Sequence, residues 1–315
     1  MTATADRYRF SRLANGVRVV SLDMPQVATA SVGIWVDVGA RYEPVELNGV
    51  AHLLEHMAFK GTARRSAQAI AEEIEDVGGQ LNAYTSREHT AFYARVLAED
   101  VPLAVDLLAD IVRHARIDAE ELARERTVVL QEIGQVLDTP DDWVFDLWQD
   151  TAYPDQPLGR SILGPAATVE RLGRADVLGY LTTYYAPERL VVAAAGRVDH
   201  DRLAALAHEH LGDLAPRPAP AMPPAVYRGG HKLEADESEQ LHLVLGLEGV
   251  RYDEPDFYAA QVLATALGGG MSSRLFREVR EKRGLAYTVF AFSASYVDTG
   301  LIGMYAAAAP ADAGD

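Results

Sequence analysis

His52 and His56 flank Glu55 in His52-Leu53-Leu54-Glu55-His56, inside the apolar stretch Gly49-Val-Ala-His-Leu-Leu-Glu-His-Met-Ala-Phe59. At ~100° per residue, positions four apart fall one turn apart on one helix face, so both rings can reach a single metal ion. Glu55 lies beside that face, three residues after His52. A metal held by neutral imidazoles polarises a water, and a neighbouring carboxylate can take that water's proton. Together these are the minimum apparatus for hydrolysing an amide. The competing reading is that both histidines are ordinary satisfied residues of an apolar helix.

A catalytic metal needs a third protein ligand, for which zinc accepts imidazole nitrogen or carboxylate oxygen. Candidates lie in Asp118–Leu137, where Leu122, Val129, Ile133 and Val136 form an apolar helical stripe behind an acidic first turn. Glu125 and Glu132 are seven residues apart there, hence roughly 20° apart around the axis, and can point at one place. One can bind metal while the other orients a histidine. Alternatively both are solvated charges paired with Arg124 and Arg126.

The elements that must position these groups follow from periodicity. Arg18–Leu22 and Ala30–Val38 read as strands, the second with Val32, Ile34, Val36 and Val38 on one face. The metal-site helix comes next, then a helix over Gln68–Val77 with Ser66 as N-cap and Gly78-Gly79 as its stop. A strand-like stretch through Asn82-Ala83-Tyr84-Thr85 runs on toward Ala91–Val96; Asn82 there either belongs to the strand or makes a turn or bulge. Helices are expected at Val101–His114, Ala119–Leu137, Asp141–Gln149 and Arg174–Tyr184, with a strand at Leu190–Ala195. Grouped rather than alternating elements give an α+β class with an antiparallel sheet and packed helices.

The 315 residues, 49% of them hydrophobic, exceed one small domain and supply ample core. A formal net charge of −17, with no basic patch, argues against nucleic acid as a partner. An acidic surface would suit basic peptides, but acidity also simply maintains solubility, which is the favoured reading. The absence of cysteine removes disulfides, thiol catalysis and thiolate metal sites, leaving histidine and carboxylate as the strong ligands. The N-terminal Met1–Ser11 lacks the apolar core of a secretory signal and has too little arginine for a transit peptide. No run approaches a membrane span, so no membrane partner and a cytoplasmic location are expected.

His52-x-x-Glu55-His56 is the inverted zinc motif, and with Glu132 downstream the chain resembles the pitrilysin and insulinase metallopeptidases, within them the processing-peptidase branch. Gly61-Thr62, Gly78-Gly79-Gln-Leu-Asn82-Ala83-Tyr84-Thr85 and Glu125-Arg126 also stand where that family has them. The resemblance implies one zinc ion per chain on His52, His56 and Glu132, Glu55 as general base, and Glu125 as a carboxylate supporting the site. It implies that Asn82–Thr85 is an exposed sheet edge to which an extended peptide adds by main-chain hydrogen bonds. It further implies that Arg280 and Tyr287 hold the substrate carbonyl and its oxyanion; read alone, they are an exposed basic residue and a strand aromatic. The implied function is a zinc endopeptidase acting on extended or small peptides as a homo- or hetero-dimer. A non-catalytic peptide- or partner-binding subunit is the alternative.

The proline-rich Ala215–Ala225 marks a boundary. The expected domains are a catalytic zinc-binding unit over 1–214, a linker over 215–230, and a partial second copy over 231–315. In that copy, the strand Gln240–Gly246 and helices near Phe257–Leu267 and Arg274–Arg283 repeat the opening order of the first, but Ala260–Leu267 carries no metal ligand. Members of the branch carry a second domain about as large as the first, so the second copy is expected to be incomplete. Its sheet edge and apolar surface are then expected to lower solubility or favour self-association.

Overall fold

The computed structural model describes residues 8–218, 220–235 and 237–312. The leaderless reading of Met1–Arg7, and part of both the linker and the chain's end, lie outside those residues. The chain divides into two compact units, Met1–Leu130 with Ile162–Ala221, and Gln131–Ser161 with Met222–Asp315.

In the first unit the strands are β1 (Tyr8–Arg12), β2 (Arg18–Asp23), β3 (Thr29–Val36), β4 (Gln80–Thr85), β5 (Thr90–Leu97) and β6 (Leu190–Gly196). They form one sheet in the order β1-β2-β6-β3-β5-β4. Every pair is antiparallel except β2 with β6, so the expected antiparallel sheet carries one parallel pair. That pair joins strands far apart in sequence, and the long crossover a parallel pair requires is supplied by the chain between them. On β3, Ala30, Val32, Ile34 and Val36 are buried, as period-2 alternation demands.

The helices of the first half are α1 (Val50–Ala58), α2 (Ala67–Glu75), α3 (Val101–His114) and α4 (Ala119–Leu137). Ser66 caps α2, its hydroxyl accepting from the Ala69 N–H at 3.1 Å. They are followed by α5 (Pro140–Ala152), α6 (Ala166–Val169), α7 (Arg174–Tyr184) and α8 (His200–Leu211). α3 packs on β3 and β5 and α8 on β2, while α1 lies between β4 and α7. β4 has β5 as its only neighbour among the described residues, so it is a sheet edge beside the helix that carries the histidines. The sequence expectations did not include β1 and α8: β1 is only five residues long and exposed along most of its length, and α8 is rich in alanine and histidine.

In the second unit β7 (Leu241–Glu248), α9 (Phe257–Gly268), a π-helical run at Phe276–Lys282, β8 (Ala286–Ser295) and β9 (Gly300–Ala308) follow in order. Their sheet is antiparallel with the order β7-β9-β8. The same strand, helix, helix, strand, strand succession occurs over β3, α1, α2, β4 and β5, again with the last strand in the middle. The duplication is therefore visible as topology. α5 covers the second sheet with Phe145 and Trp148, whose rings lie 5.6 Å and 5.3 Å from Phe292. Gly246 is required there, because a Cβ would stand 2.0 Å from Trp148 Nε1. Among the described residues no helix is long and apolar enough to cross a membrane.

Candidate active site

The first turn of α1 is built by groups that helical periodicity does not reveal. Gly49 takes φ +101°, and a Cβ there would stand 2.6 Å from the Leu163 carbonyl, so glycine is needed. The carboxylate of Glu43, only 3% exposed, accepts from the Gly49 N–H at 2.9 Å, the Ala51 N–H at 2.7 Å and the Asn48 amide at 2.7 Å. An acidic group thus satisfies the orphan donors and meets the positive end of the helix dipole. Leu53, Leu54 and Met57 are buried in the core, which leaves His52, Glu55 and His56 on the opposite side of α1.

The two imidazoles meet edge to face with centroids 4.7 Å apart. α4 continues without a break past Glu125 to Glu132, and ligand atoms of His52, His56 and Glu132 all lie within 4.8 Å of one another. This is the one such grouping among the described residues. Two imidazole nitrogens and one carboxylate oxygen are a donor set that zinc accepts, with a position left for water or substrate. Burial, then the neighbouring charge of His56, pulls His52 down to about 4, so its ring is neutral at pH 7 as a metal ligand must be.

Glu125 lies behind His56, its Oε2 3.0 Å from His56 Nδ1 and its Oε1 2.7 Å from Lys60 Nζ. A carboxylate only accepts, so Nδ1 carries the hydrogen and Nε2 keeps its lone pair for a metal. The sequence reading overlooked Lys60, although it stands one turn past His56, where an i, i+4 neighbour belongs.

Glu55 is held from β4. Thr85 Oγ1 donates to Glu55 Oε2 at 2.6 Å, so Thr85 meets the catalytic candidate through its side chain. Strand alternation sends Asn82 and Tyr84 to the other face of β4. There Asn82 Oδ1 accepts from the Ala83 N–H at 2.8 Å, and the Tyr84 hydroxyl is 3.1 Å from His89 Nε2. Of the four residues expected to bind substrate, Thr85 is thus joined to Glu55, and Asn82 and Tyr84 are not turned toward it.

Arg280 and Tyr287 come together in the second unit. The Arg280 guanidinium lies 4.2 Å above the Tyr287 ring and donates to the Tyr287 carbonyl at 2.8 Å. Tyr287 is 75% exposed.

The Gly61-Thr62 signature has a structural explanation. Gly61 takes φ +111°, and Thr62 Oγ1 donates to Asp110 Oδ2 on α3 at 2.7 Å. Asp110 also receives Arg65 Nη1 at 2.9 Å, which ties the loop after α1 to α3.

Residues 18–166 match the family model of insulinase (peptidase family M16), and residues 171–315 match that of the peptidase M16 inactive domain. An uncharacterized zinc protease of Mycobacterium bovis is 45% identical over 308 residues, which cover 96% of this chain and 70% of the relative. The beta subunit of the mitochondrial processing peptidase of Bos taurus is 40% identical over 319 residues, covering 98% of this chain and 65% of that protein. In fold the chain is similar to a protease from Helicobacter pylori, with a TM-score of 0.89 at 24% identity over 96% of this chain and 75% of that one. With nearly its whole length matched at such identity, the chain belongs to the insulinase, or M16, peptidase family.

Proposed function

We propose that this chain is a zinc-dependent endopeptidase acting on extended or small peptides. The observation that carries the reading is the convergence of His52, His56 and Glu132 beside Glu55. One zinc ion on those three groups supplies Lewis acidity toward a water and the substrate carbonyl. Glu55 takes the proton of the attacking water and passes it to the leaving amine, with Thr85 fixing the direction of its carboxylate. Glu125 holds the His56 tautomer. An extended peptide pairs with the edge of β4 at Asn82–Thr85, which gives affinity with weak sequence preference. On the family resemblance we assign Arg280 and Tyr287 to the substrate carbonyl. Tyr287→Phe should then lower kcat with bound zinc unchanged, and an unaltered kcat removes that assignment.

The Bos taurus relative is named as a subunit, which supports two further readings: a homo- or hetero-dimer, and a non-catalytic peptide- or partner-binding role. Bound zinc and peptide cleavage, measured for the wild type and Glu55→Gln, decide between catalysis and binding. Zinc should be retained in both, with cleavage at least ~100-fold lower in the variant, as expected for loss of a general base. Equal cleavage refutes the role of Glu55, and zinc-free protein without activity favours the binding subunit.

A further inference from the structure

Lys60 follows the last turn of α1, where its backbone N–H is 3.1 Å from the Met57 carbonyl. Its side chain crosses to α4 and places Nζ 2.7 Å from Glu125 Oε1. The other oxygen of the same carboxylate is 3.0 Å from His56 Nδ1. One short segment of chain therefore grips Glu125 twice, through His56 and through the residue four positions later. Glu125 is 6% exposed, so water has little access to replace either partner.

A carboxylate with one donor can turn about its terminal torsion, and that torsion is broad and intrinsically soft. An ammonium fixed on Oε1 removes the freedom: the plane of the group is set and Oε2 is held toward Nδ1. The second partner also compensates a buried charge that an imidazole N–H alone would leave poorly solvated. We infer that Lys60 is a positioning residue for the metal, acting through Glu125 to fix the tautomer and direction of His56. The inference rests on the zinc reading above, and it adds a residue whose effect reaches the metal without touching it. A purely local role exists for comparison, because a lysine at a helix C-terminus interacts favourably with the helix dipole.

The two roles separate in a thermodynamic cycle on zinc affinity, measured by competition with a chromophoric chelator. The proteins are the wild type, Lys60→Met, Lys60→Arg, Glu125→Gln and the Lys60→Met/Glu125→Gln double variant. Loss of an outer partner of a metal-bound histidine typically costs 10–100-fold in affinity, and Lys60→Met should weaken zinc binding by about that factor. Lys60→Arg should retain most of the affinity, because a guanidinium can donate to the same oxygen. The double variant should bind about as Glu125→Gln alone, since Lys60 acts through that carboxylate. Long-range proton–nitrogen NMR of the zinc-free protein should show His56 protonated at Nδ1 in the wild type and a mixture of tautomers in Lys60→Met.

Zinc affinity of Lys60→Met within about twofold of wild type overturns the inference, as do losses that multiply in the double variant. Should Lys60→Met not fold, Lys60→Gln takes its place in the same cycle. His52→Ala separates this inference from the one beneath it. If that variant binds zinc like the wild type, the metal assignment itself fails; if it loses zinc while Lys60→Met does not, only the role of Lys60 fails.

Discussion

Thr85 on β4 donates a 2.6 Å hydrogen bond to Glu55 on α1, so the strand that offers a sheet edge and the helix that carries the candidate metal-binding histidines are joined through one carboxylate. Placement of the candidate base thus depends on the same strand proposed to receive the peptide.

Thr85→Val keeps the shape and removes the donor. A hydrogen bond to a charged group is worth about 1.5–3 kcal/mol, so kcat should fall roughly tenfold to a hundredfold with bound zinc unchanged. Kinetics with zinc analysis check this, and an unaltered kcat shows that Glu55 is oriented by other partners.

Pairing of substrate with β4 predicts a parity effect. In an antiparallel pair, alternate residues of the added strand point their N–H groups at the partner. A peptide methylated at one amide nitrogen should bind the Glu55→Gln protein about 2–10-fold more weakly at one parity of position and normally at the other. Equal losses at both parities, read by calorimetry, would exclude strand addition.

Asp110 should matter to stability rather than chemistry. Burial raises its carboxyl, but donors on Thr62, Arg65, His114 and Arg64 outweigh this and hold it below the usual 3.8. With the folded value depressed, its contribution is complete above pH 3.8 and is lost as pH falls through the lower folded value. Asp110→Ala should cost about 1–3 kcal/mol, because the buried Thr62 hydroxyl loses its acceptor while Arg65 keeps Asp106 and Glu73. Denaturant unfolding against pH should show a shallower acid limb in Asp110→Asn. An unchanged acid limb removes Asp110 as its origin.

The second unit carries exposed leucines along one face of the edge strand β7, Leu243 at 45%, Leu245 at 55% and Leu247 at 61%. Such an edge invites self-association, which charged side chains suppress. Light scattering should show mass rising with concentration, and Leu245→Lys should flatten that rise. A stable monomer with cooperative melting counts against this prediction.

The helical spacing of His52, Glu55 and His56, the alternation of Val32, Ile34 and Val36, the Ser66 cap and the full extents of α3, α4 and α7 were legible in the residues alone. Each expresses a local rule: side chains recur every 3.6 residues in a helix and every second residue in a strand, whatever lies beyond the element. The common direction of Glu125 and Glu132 was legible for the same reason, whereas the division of labour between them came from family resemblance.

Contacts between elements were decided by the tertiary structure. Glu43 reaches the N-terminus of α1 from outside the helix, Thr85 meets Glu55 across 30 residues, and Glu125 meets His56 across 69. Lys60 shows the limit most clearly. Its distance from His56 along the chain is one helical turn, yet its partner stands on α4, and only the tertiary placement of Glu125 makes the pair. No periodicity encodes which buried carboxylate a given side chain will face, because that depends on how two helices pack rather than on the backbone geometry of either.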